Sequence, residues 1–346
     1  IKWKIKEKFM NATMSLENTK HYPVMLNQIL SIISPQHGGT FIDCTFGGGG
    51  YSHAILKFPG TKVLAIDRDK LTQKNANLLV KKFPKRFNFF QEKFSNLNRI
   101  AQQNLNPRAV IFDLGLSSSQ LSDKERGFSF DSKNFLNMEM GMNKYSAYDV
   151  INTLDKEHLA IIIKVLGEEK DGKIIANKID KYRSIEPIKT SKELASIIGD
   201  AKKNYKNYKR NPATKTFQAI RIFVNQELTE LILGLIEAAK LLPNEGILIV
   251  VSFHSLEDKI VKSFFNLYSN LRRNPSRYLP IKKNKSSLFK LISKKPFMPD
   301  IREIKKNIRS RSAKLRYAIR NNNSFFYPNE FRNKFMNYFE LEGSEI

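Results

Sequence analysis

A short apolar segment at residues 40–45 is followed by Phe46 and four consecutive glycines at positions 47–50, and this pairing constrains the fold more than any other feature. The apolar segment predicts a buried strand, and a helical pattern begins right after the glycines, at residues 51–58. Because glycine lacks a Cβ atom, its backbone can adopt positive φ angles and approach a ligand closely. The amides at the start of the helix face the same turn. We therefore predict a strand–turn–helix unit that binds a ligand at the turn.

Further short apolar segments continue the alternation of strand and helix, at residues 62–66, 87–90 and 109–112. The first is followed by Asp67 and the last by Asp113. This rhythm predicts a parallel sheet with right-handed crossovers, and thus the α/β fold class. A continuous apolar run at residues 247–253 predicts one more strand, covered on both faces.

A block of helical periodicity at residues 121–210, without a convincing strand, interrupts the α/β pattern. We therefore expect one discontinuous α/β domain with an inserted helical domain. The expected parts are an N-terminal extension at 1–18, the α/β domain at 19–120 and 211–320, the insertion at 121–210, and a C-terminal tail, expected to be mobile, at 321–346. Residues 268–300 are rich in Lys, Arg, Asn, Ser and Pro, which is typical of a long basic loop.

Asp67 lies seventeen residues beyond Gly50, at the end of the second predicted strand. A carboxylate there can accept hydrogen bonds from both ribose hydroxyls of an adenosine. The turn fits the dinucleotide pattern G-x-G-x-x-G poorly, which disfavours an NAD-dependent oxidoreductase and favours S-adenosylmethionine (AdoMet), a ligand without a pyrophosphate. A tight turn with an exposed aspartate is the alternative interpretation.

Asp43 and Asp113 also lie at strand ends or next to them, where parallel sheets bind ligands. Asp113 closes the fourth predicted strand, and we expect it at the ligand site. Asp43 lies within its strand, so two roles stay open for it: a structural acid that binds loop amides, and an acid that contacts the ligand.

Lys and Arg number 59 against 33 Asp and Glu, which gives a net charge of +26. Such an excess favours a nucleic-acid partner, although surface lysines that contact only water are the alternative. Cys44 is the only cysteine, which excludes an intramolecular disulfide and a cysteine-rich metal site and fits a reducing compartment. Apolar runs are too short to cross a bilayer, and the Lys-rich first residues lack the apolar core of a signal peptide. We therefore expect a cytoplasmic protein without membrane contact. With one cysteine, we also expect no bound metal.

Short motifs are distributed along residues 21–320. In the first half they are HYPVML at 21–26, DCTFGGGG at 43–50, FDLGLSS at 112–118, QL at 120–121, RGFSF at 126–130 and GEE at 167–169. In the second half they are PATKTFQA at 212–219, SFHSLED at 252–258 and RSAKLR at 311–316. In this order they resemble the MraW/RsmH family of ribosomal RNA cytosine-N4 methyltransferases, and the resemblance covers nearly the whole chain.

The resemblance implies a Rossmann-like class I methyltransferase sheet with an inserted helical domain for substrate recognition. It also implies AdoMet as cofactor and the N4 amine of a cytosine in 16S ribosomal RNA of the small subunit as substrate. The AdoMet contacts that it implies come from Gly49, Gly50, Tyr51, Asp67, Phe94, Asp113 and Gln120. Phe94 follows the third predicted strand and could stack on adenine, but ordinary core packing explains an apolar side chain there equally well.

The chain departs from the family pattern at several positions. Tyr51 replaces a usual histidine, so a backbone contact there would persist and a side-chain contact need not. The segment LNMEMGM at residues 136–142 differs from the family in its charged positions, so we assign it no RNA contact. Ile308 replaces a usual proline. None of these changes affects the glycine turn, Asp67 or Asp113.

Methyl transfer from a sulfonium to an amine is an in-line displacement, in which the protein holds donor and acceptor close and aligned. The N4 amine of cytosine is a weak nucleophile, so a group that accepts its N–H would assist. Asp113 is the best-placed candidate, because the D/N/S-P-P-Y/F/W motif that other amino-methyltransferases have at this strand end is absent. His254, which follows the 247–253 strand, is the second candidate, and a structural role is equally open. We expect Ser255 to cap a helix, with Asp258 as its capping-box partner.

Basic and aromatic residues alternate at 202–210, KKNYKNYKR, and residues 305–320 form a second basic run. Both suit contacts with phosphates, and the first also suits base stacking. A helix expected at 217–228 carries a polar stripe of Gln218, Arg221 and Asn225, which either lines a substrate cleft or faces solvent. The target base has to be single-stranded or flipped out to reach a pocket of this kind.

Two other functions stay open. One is AdoMet-dependent methylation of another nucleic acid, such as DNA or transfer RNA. The other is a catalytically silent RNA-binding or ribosome-assembly factor that keeps the AdoMet fold. The sequence also leaves a homodimer open.

Overall fold

The computed structural model describes residues 23–101, 105–202, 211–269 and 287–345. The chain forms two compact units, each built from two stretches of sequence. Unit 1 comprises Ile1–Gly115 and Glu230–Lys334, and unit 2 comprises Leu116–Thr229 and Phe335–Ile346, as far as their residues are described. The predicted extension at 1–18 and most of the basic, tyrosine-containing segment at 202–210 lie outside the described residues.

Within the described residues, unit 1 contains a seven-stranded sheet. Its strands are β1 (Gly39–Asp43), β2 (Thr61–Asp67), β3 (Phe87–Gln91), β4 (Pro107–Asp113), β5 (Ile247–Ser252), β6 (Phe289–Leu291) and β7 (Lys314–Arg320). The order across the sheet is β3-β2-β1-β4-β5-β7-β6. Strands β1 to β5 pair in parallel, whereas β7 pairs antiparallel with β5 and with β6. The parallel part has the strand order of a Rossmann-type sheet, and the predicted fold class is confirmed.

In chain order the helices are α1 (Leu26–Ile33), α2 (Gly50–Leu56), α3 (Gln73–Lys82), α4 (Leu97–Ile100), α5 (Ser118–Ser122), α6 (Ala147–Thr153), α7 (Lys156–Leu166), α8 (Gly172–Arg183), α9 (Ser191–Ala201), α10 (Thr214–Asn225), α11 (Glu227–Leu241), α12 (Ser255–Tyr268), α13 (Ile301–Lys306), α14 (Asn329–Lys334) and α15 (Met336–Glu342). Helix α11 belongs to unit 2 as far as Thr229 and to unit 1 beyond it. None of the helices in the described part of the chain combines the length and apolar character needed to cross a bilayer.

Apolar side chains that alternate along the central strands explain why the sheet forms here. Phe41 of β1 and Ile111 of β4 are fully buried and lie in one core cluster with Leu30 of α1 and Ile55 of α2. The neighbouring residues on these strands, Ile42 on β1 and Val110 and Phe112 on β4, point to the opposite face of the sheet, and they are buried too. Since β5 is buried along Leu248–Val251, both faces of the sheet centre are covered, as the continuous apolar run predicted.

Unit 2 is helical, and its boundary differs from the expected end of the insertion at residue 210. Helix α10 packs against α7, and Gln218 Nε2 donates to the Leu166 carbonyl at the end of α7 (3.4 Å). Residues 211–229 therefore belong to the same unit as the helices that precede them. The sequence pattern does not mark this boundary, because helices continue until the sheet returns at Ile247. The helix expected at 217–228 ends earlier, since Gln226 adopts a left-handed conformation (φ 52°) between α10 and α11.

Two expectations for the second half of the chain are wrong. The C-terminal residues do not form a mobile tail: Phe331 of α14, Phe335 between the two helices and Tyr338 of α15 are all buried. The Phe331 ring packs edge-on against Phe264 of α12 within unit 1, with centroids 5.4 Å apart. The expected basic loop at 268–300 contains β6, and its residues 270–286 lie outside the described part of the chain.

Candidate functional site

Three carboxylates lie at the carboxyl end of the parallel sheet, at or beside the tips of adjacent strands. β1 lies between β2 and β4, with Asp43 opposite Ala65 and Ile111. Asp67 ends β2 and Asp113 ends β4. In sheets of this type the ligand site lies at this edge, so the fold brings these predicted residues together where a ligand would bind.

The glycine turn between β1 and α2 is held by backbone hydrogen bonds to both neighbouring strands. Cys44 N donates to the Ile111 carbonyl (2.9 Å), and Phe46 N donates to the Ile66 carbonyl (3.0 Å). Gly49 has a φ of 77°, and a Cβ atom there would lie 2.7 Å from the Phe46 ring. A Cβ atom on Gly48, in contrast, would meet nothing within 4 Å. The turn is thus packed tightly on one side and open at Gly48.

Asp67 is the acid that closes the turn from β2. Its Oδ2 accepts from Gly47 N (2.6 Å) and its Oδ1 from Asp69 N (2.8 Å). Burial raises the pKa of Asp67 to about 6, although both amide hydrogen bonds lower it. Each oxygen has a second lone pair, so the carboxylate is held in a fixed orientation and can still accept hydrogen bonds.

Asp43 makes contacts within the turn itself. Ser52 Oγ donates to Asp43 Oδ2 (2.7 Å), and Thr45 N lies 3.4 Å from Oδ1. The residue is fully buried, and burial raises its pKa to about 6. Of the two roles that the sequence leaves open, these contacts favour the structural acid, which ties the start of α2 to β1.

Asp113 differs from the other two acids, because one of its carboxyl oxygens has no partner. Oδ1 is shielded from solvent and makes no hydrogen bond with any described residue. Burial raises the pKa of Asp113 to about 8, and a hydrogen bond with the Tyr51 hydroxyl opposes this rise. The negative charges of Asp43, Glu257 and Glu303 raise the pKa further. An acceptor of this kind is available for a ligand N–H or O–H group.

Tyr51 lies on the first turn of α2, directly after the glycines, and is almost fully buried. Its hydroxyl donates to the Val24 carbonyl. Burial, and then the charge of Asp113, raise the pKa of Tyr51 well above its usual value, so the hydroxyl keeps its proton. The side chain that departs from the family pattern therefore contacts residues of the candidate site.

His254 is the N-cap of α12, and the predicted cap of Ser255 with Asp258 is wrong. Glu257 is the capping-box partner: its Oε2 accepts from His254 N (3.2 Å), and Glu257 N approaches His254 Nδ1 (3.5 Å). His254 Nε2 lies 3.1 Å from Glu257 Oε1 without forming a hydrogen bond. Ser255 is the first residue of the helix. An imidazole nitrogen can accept an amide hydrogen as a hydroxyl does, which explains why the cap lies one residue earlier.

Asp258 instead fastens α12 to β7. Its carboxylate accepts from Arg316 Nε (2.7 Å) and Lys314 Nζ (3.1 Å). Burial raises its pKa, but the hydrogen bonds from these two cations outweigh that effect and the pKa is lowered overall. These contacts hold the turn at His254 against the sheet.

Phe94 and Gln120 were the remaining residues expected to contact the cofactor. The Phe94 ring packs edge-on against Phe112 (centroids 5.3 Å apart) and leaves no room for a Cβ atom on Gly234 of α11, which would lie 2.5 Å away. Phe94 is only half-buried, so one part of the ring is free for another contact. Gln120 lies in unit 2, where it forms a capping box with Ser117 at the start of α5.

The polar stripe on α10 in unit 2 is engaged in internal contacts. Arg221 forms two hydrogen bonds with the Glu227 carboxylate (2.7 and 2.8 Å). Asn225 is fully buried: its Oδ1 accepts from Met140 N and its Nδ2 donates to the Met138 carbonyl (both 2.8 Å). Asn225 therefore faces neither bulk solvent nor an open cleft, and its hydrogen bonds hold the 136–142 segment in place.

Two acidic residues near Asp113 were missed by the sequence analysis. Glu257 caps α12, and Glu303 of α13 accepts a hydrogen bond from Met25 N (2.5 Å). Glu257 could have been found from its position three residues after a potential N-cap at His254. Glu303 offers no such signal, because it lies 278 residues from its partner in the sequence.

A family model described as the MraW methylase family matches residues 18–321. Among curated relatives, a protein named "Ribosomal RNA small subunit methyltransferase H" from Ehrlichia chaffeensis is 44% identical over 304 residues, which cover 87% of this chain and 99% of the relative. Proteins of the same name from Ehrlichia canis and Afipia carboxidovorans are 45% and 40% identical, over 87% and 90% of this chain and 99% and 93% of the respective relative.

Proposed function

Because the chain belongs to the MraW methylase family, we propose that it transfers a methyl group from AdoMet to the N4 amine of a cytosine in small-subunit (16S) ribosomal RNA. The observation that carries this proposal is the unpartnered Oδ1 of Asp113, buried at the carboxyl end of β4 beside the glycine turn. The family supports methyl transfer, and the relatives' names support a ribosomal RNA substrate. The choice of the N4 amine of cytosine rests on the motif resemblance and on the need for an N–H acceptor.

The residues at the sheet edge fit AdoMet. The open side of the glycine turn at Gly48 admits a ligand close to the backbone, and the Asp67 carboxylate is oriented with lone pairs left for ribose hydroxyls. Phe94 presents part of a ring for the adenine. We propose cofactor contacts in unit 1 from Gly49, Gly50, Tyr51, Asp67, Phe94 and Asp113.

Bound AdoMet would supply an electrophilic methyl group on a sulfonium. Asp113 would then accept one N4–H of the target cytosine, which orients the amine and favours localisation of its lone pair. As the amine gains the methyl group it loses a proton, which the ionised Asp113 carboxylate would accept. Because Asp113 has a pKa of about 8, we expect the methylation rate to rise with pH through that region.

His254 is the second candidate for contact with the target base. Its cap with Glu257 fixes the turn after β5, and β5 lies beside β4 with Val251 opposite Asp113. Because Nδ1 accepts from Glu257 N, a neutral His254 carries its proton on Nε2, which makes no hydrogen bond with any described residue and can donate to an oxygen of the substrate. We propose that His254 positions the base while Asp113 accepts the proton.

We propose that unit 1 carries the chemistry and unit 2 contributes to recognition of the RNA. The net charge of +26 supports a polyanionic partner. Exposed cations follow α13 in unit 1, including Arg309 and Arg311. A substrate in small-subunit RNA implies that the protein acts in the cytoplasm, where ribosomal subunits are assembled.

The test is complementation of a bacterial strain that lacks its own enzyme of this family, followed by mass spectrometry of nucleosides from its 16S RNA. We expect the wild-type chain to restore N4-methylcytidine and Asp113→Asn to fail, whereas Asp131→Asn, at an exposed carboxylate of unit 2, restores it. Methylation of transfer RNA or DNA instead would indicate the other methyltransferase function. Rescue of subunit assembly by Asp113→Asn without any methyl mark would indicate a catalytically silent assembly factor.

A further inference from the structure

Residues 23–25, here called the strap, lie against Gly50 and Tyr51 at the start of α2 and also bind Glu303 of α13. The Val24 carbonyl accepts from the Tyr51 hydroxyl. Met25 N donates to Glu303 Oε1, and Met25 itself is fully buried in a left-handed conformation (φ 53°) at the start of α1. Pro23 lies so close to Gly50 that a Cβ atom there would be 2.2 Å from Pro23 Cγ. The strap is therefore part of the wall of the candidate site.

The Tyr51 side chain joins the strap to the carboxyl group of Asp113, which ends β4. Its hydroxyl contacts both the Val24 carbonyl and the Asp113 carboxyl. The residue is 4% exposed, so water does not compete for either contact. Since Tyr51 directly follows Gly50 on the first turn of α2, its position is fixed by the same glycine turn that forms the proposed cofactor site.

We propose that Tyr51 is a positioning residue for methyl transfer, whose hydroxyl links the strap at Val24 to the Asp113 carboxyl. This inference rests on the proposed function. It gives Tyr51, already proposed as a cofactor contact, a second role that acts through Asp113, and it assigns the strap a role in holding the site together.

One hydroxyl proton serves two acceptors, and this couples the strap to the charge of Asp113. When Asp113 is neutral, its carboxyl proton is donated to the Tyr51 oxygen, and Tyr51 donates to Val24. When Asp113 is ionised, Tyr51 donates to the carboxylate, and the Val24 carbonyl loses its donor. The titratable groups that act on Asp113 include the Tyr51 hydroxyl and the three acids Asp43, Glu257 and Glu303.

The first measurement is hydrogen exchange by mass spectrometry on Tyr51→Phe, with Tyr268→Phe as the matched control. Tyr268 is also fully buried and donates to a backbone carbonyl, that of Phe326 (2.8 Å), far along the chain from the strap. We expect amides of residues 25–30 to exchange roughly tenfold faster in Tyr51→Phe, as loss of one buried hydrogen bond permits. Tyr268→Phe should leave these amides unchanged. Equal protection of the strap in wild type and Tyr51→Phe would overturn the proposal.

The second measurement is the pH profile of methyl transfer to small-subunit RNA. The Tyr51 hydroxyl lowers the pKa of Asp113, so its removal raises that pKa, and the rise of the rate with pH should move to higher pH in Tyr51→Phe. A lower rate with an unshifted profile would mean that Tyr51 only stabilises the fold, and would overturn the proposal. Failure of the proposed function itself would be recognised separately, because the wild-type chain would then transfer no methyl group while the exchange measurement still reports on the strap.

Discussion

The buried Asp113 carboxyl group lowers the stability of the folded protein when it is ionised. A buried oxygen without a hydrogen bond loses the solvation that it has in the unfolded chain, and burial raises the pKa of the group to about 8. An acid whose pKa is higher in the folded state stabilises the fold only while it is protonated there. Its contribution is therefore complete below about pH 4 and is lost as the pH rises through about 8.

We predict that Asp113→Asn stabilises the protein at alkaline pH while it abolishes methylation. At pH 9 the folded wild type carries the buried charge and the variant does not, so the variant should be more stable by roughly 1–3 kcal/mol. The difference should shrink as the pH falls toward 4, and urea denaturation at several pH values measures it. Asp131→Asn, at an exposed site, is the control for the substitution itself. A difference that does not change with pH would contradict this account of Asp113.

The glycines of the turn offer a matched pair of substitutions. In Gly50→Ala the new methyl group would lie 2.2 Å from Pro23 Cγ, so the strap has to move, and we predict a loss of stability of roughly 1–3 kcal/mol. In Gly48→Ala the methyl group meets nothing, and we predict a change within about 0.5 kcal/mol. Thermal denaturation of both variants tests this, and equal melting temperatures would show that the strap does not constrain Gly50.

At this scale the sequence predicts the acids of the site but not their individual roles. The glycine run and the strand ends suffice to find Asp67 and Asp113, because both are set by local pattern. Asp43 and Asp113 differ in contacts that only the folded chain shows. Ser52 donates a hydrogen bond to Asp43, whereas Oδ1 of Asp113 has no partner among the described residues. Glu303 reaches the site only because α13 folds back onto the start of α1 within unit 1.

Among the elements, the helix ends show most clearly where local pattern fails. Helix α11 is capped from a distant part of the chain. The Glu342 carboxylate from the end of α15 accepts from Leu228 N (3.1 Å) and Thr229 N (2.8 Å). Glu342 is buried, and burial raises its pKa to about 8 despite these hydrogen bonds. The expected mobile tail is thus an N-cap for a helix more than one hundred residues earlier.

We predict that Glu342→Ala destabilises unit 2 by roughly 1–2 kcal/mol, the usual cost of losing a helix cap. The effect should be smaller at pH 9 than at pH 6, since a pKa raised in the folded state means that the stabilisation is lost as the pH rises through about 8. Glu340→Ala, on the exposed side of the same helix, is the control. Chemical denaturation at both pH values is the measurement, and equal stability of the two variants would contradict the cap.

The five parallel strands, the helix after the glycines and the helical character of the insertion follow from the sequence, because the period of apolar residues is a local property. The five parallel strands lie within one or two residues of their predicted positions. The antiparallel strands β6 and β7 were not predicted: β6 has only three residues, and β7 lies within the basic run at 305–320. The basic run at 305–320 also divides on folding: Arg309 and Arg311 are exposed, whereas Arg316 and Arg320 are buried and bind within unit 1.

At the scale of the whole molecule, two features support the proposed methylation of RNA: the net charge of +26 and the carboxyl end of the sheet. The charge supports binding of RNA, and the carboxyl end of the sheet supports a nucleoside cofactor with an acceptor for an amine proton. The charge alone would fit many RNA-binding proteins. The proposed activity therefore depends on the cofactor site in unit 1.

Calorimetric titration of the purified, folded chain with AdoMet tests that site most directly. We predict binding of one AdoMet per chain, with an affinity lowered at least roughly tenfold by Asp67→Ala and unchanged by Asp131→Ala, because only Asp67 is oriented toward the ribose in the proposed site. Absence of AdoMet binding by the folded wild type, with or without small ribosomal subunits present, would contradict the account.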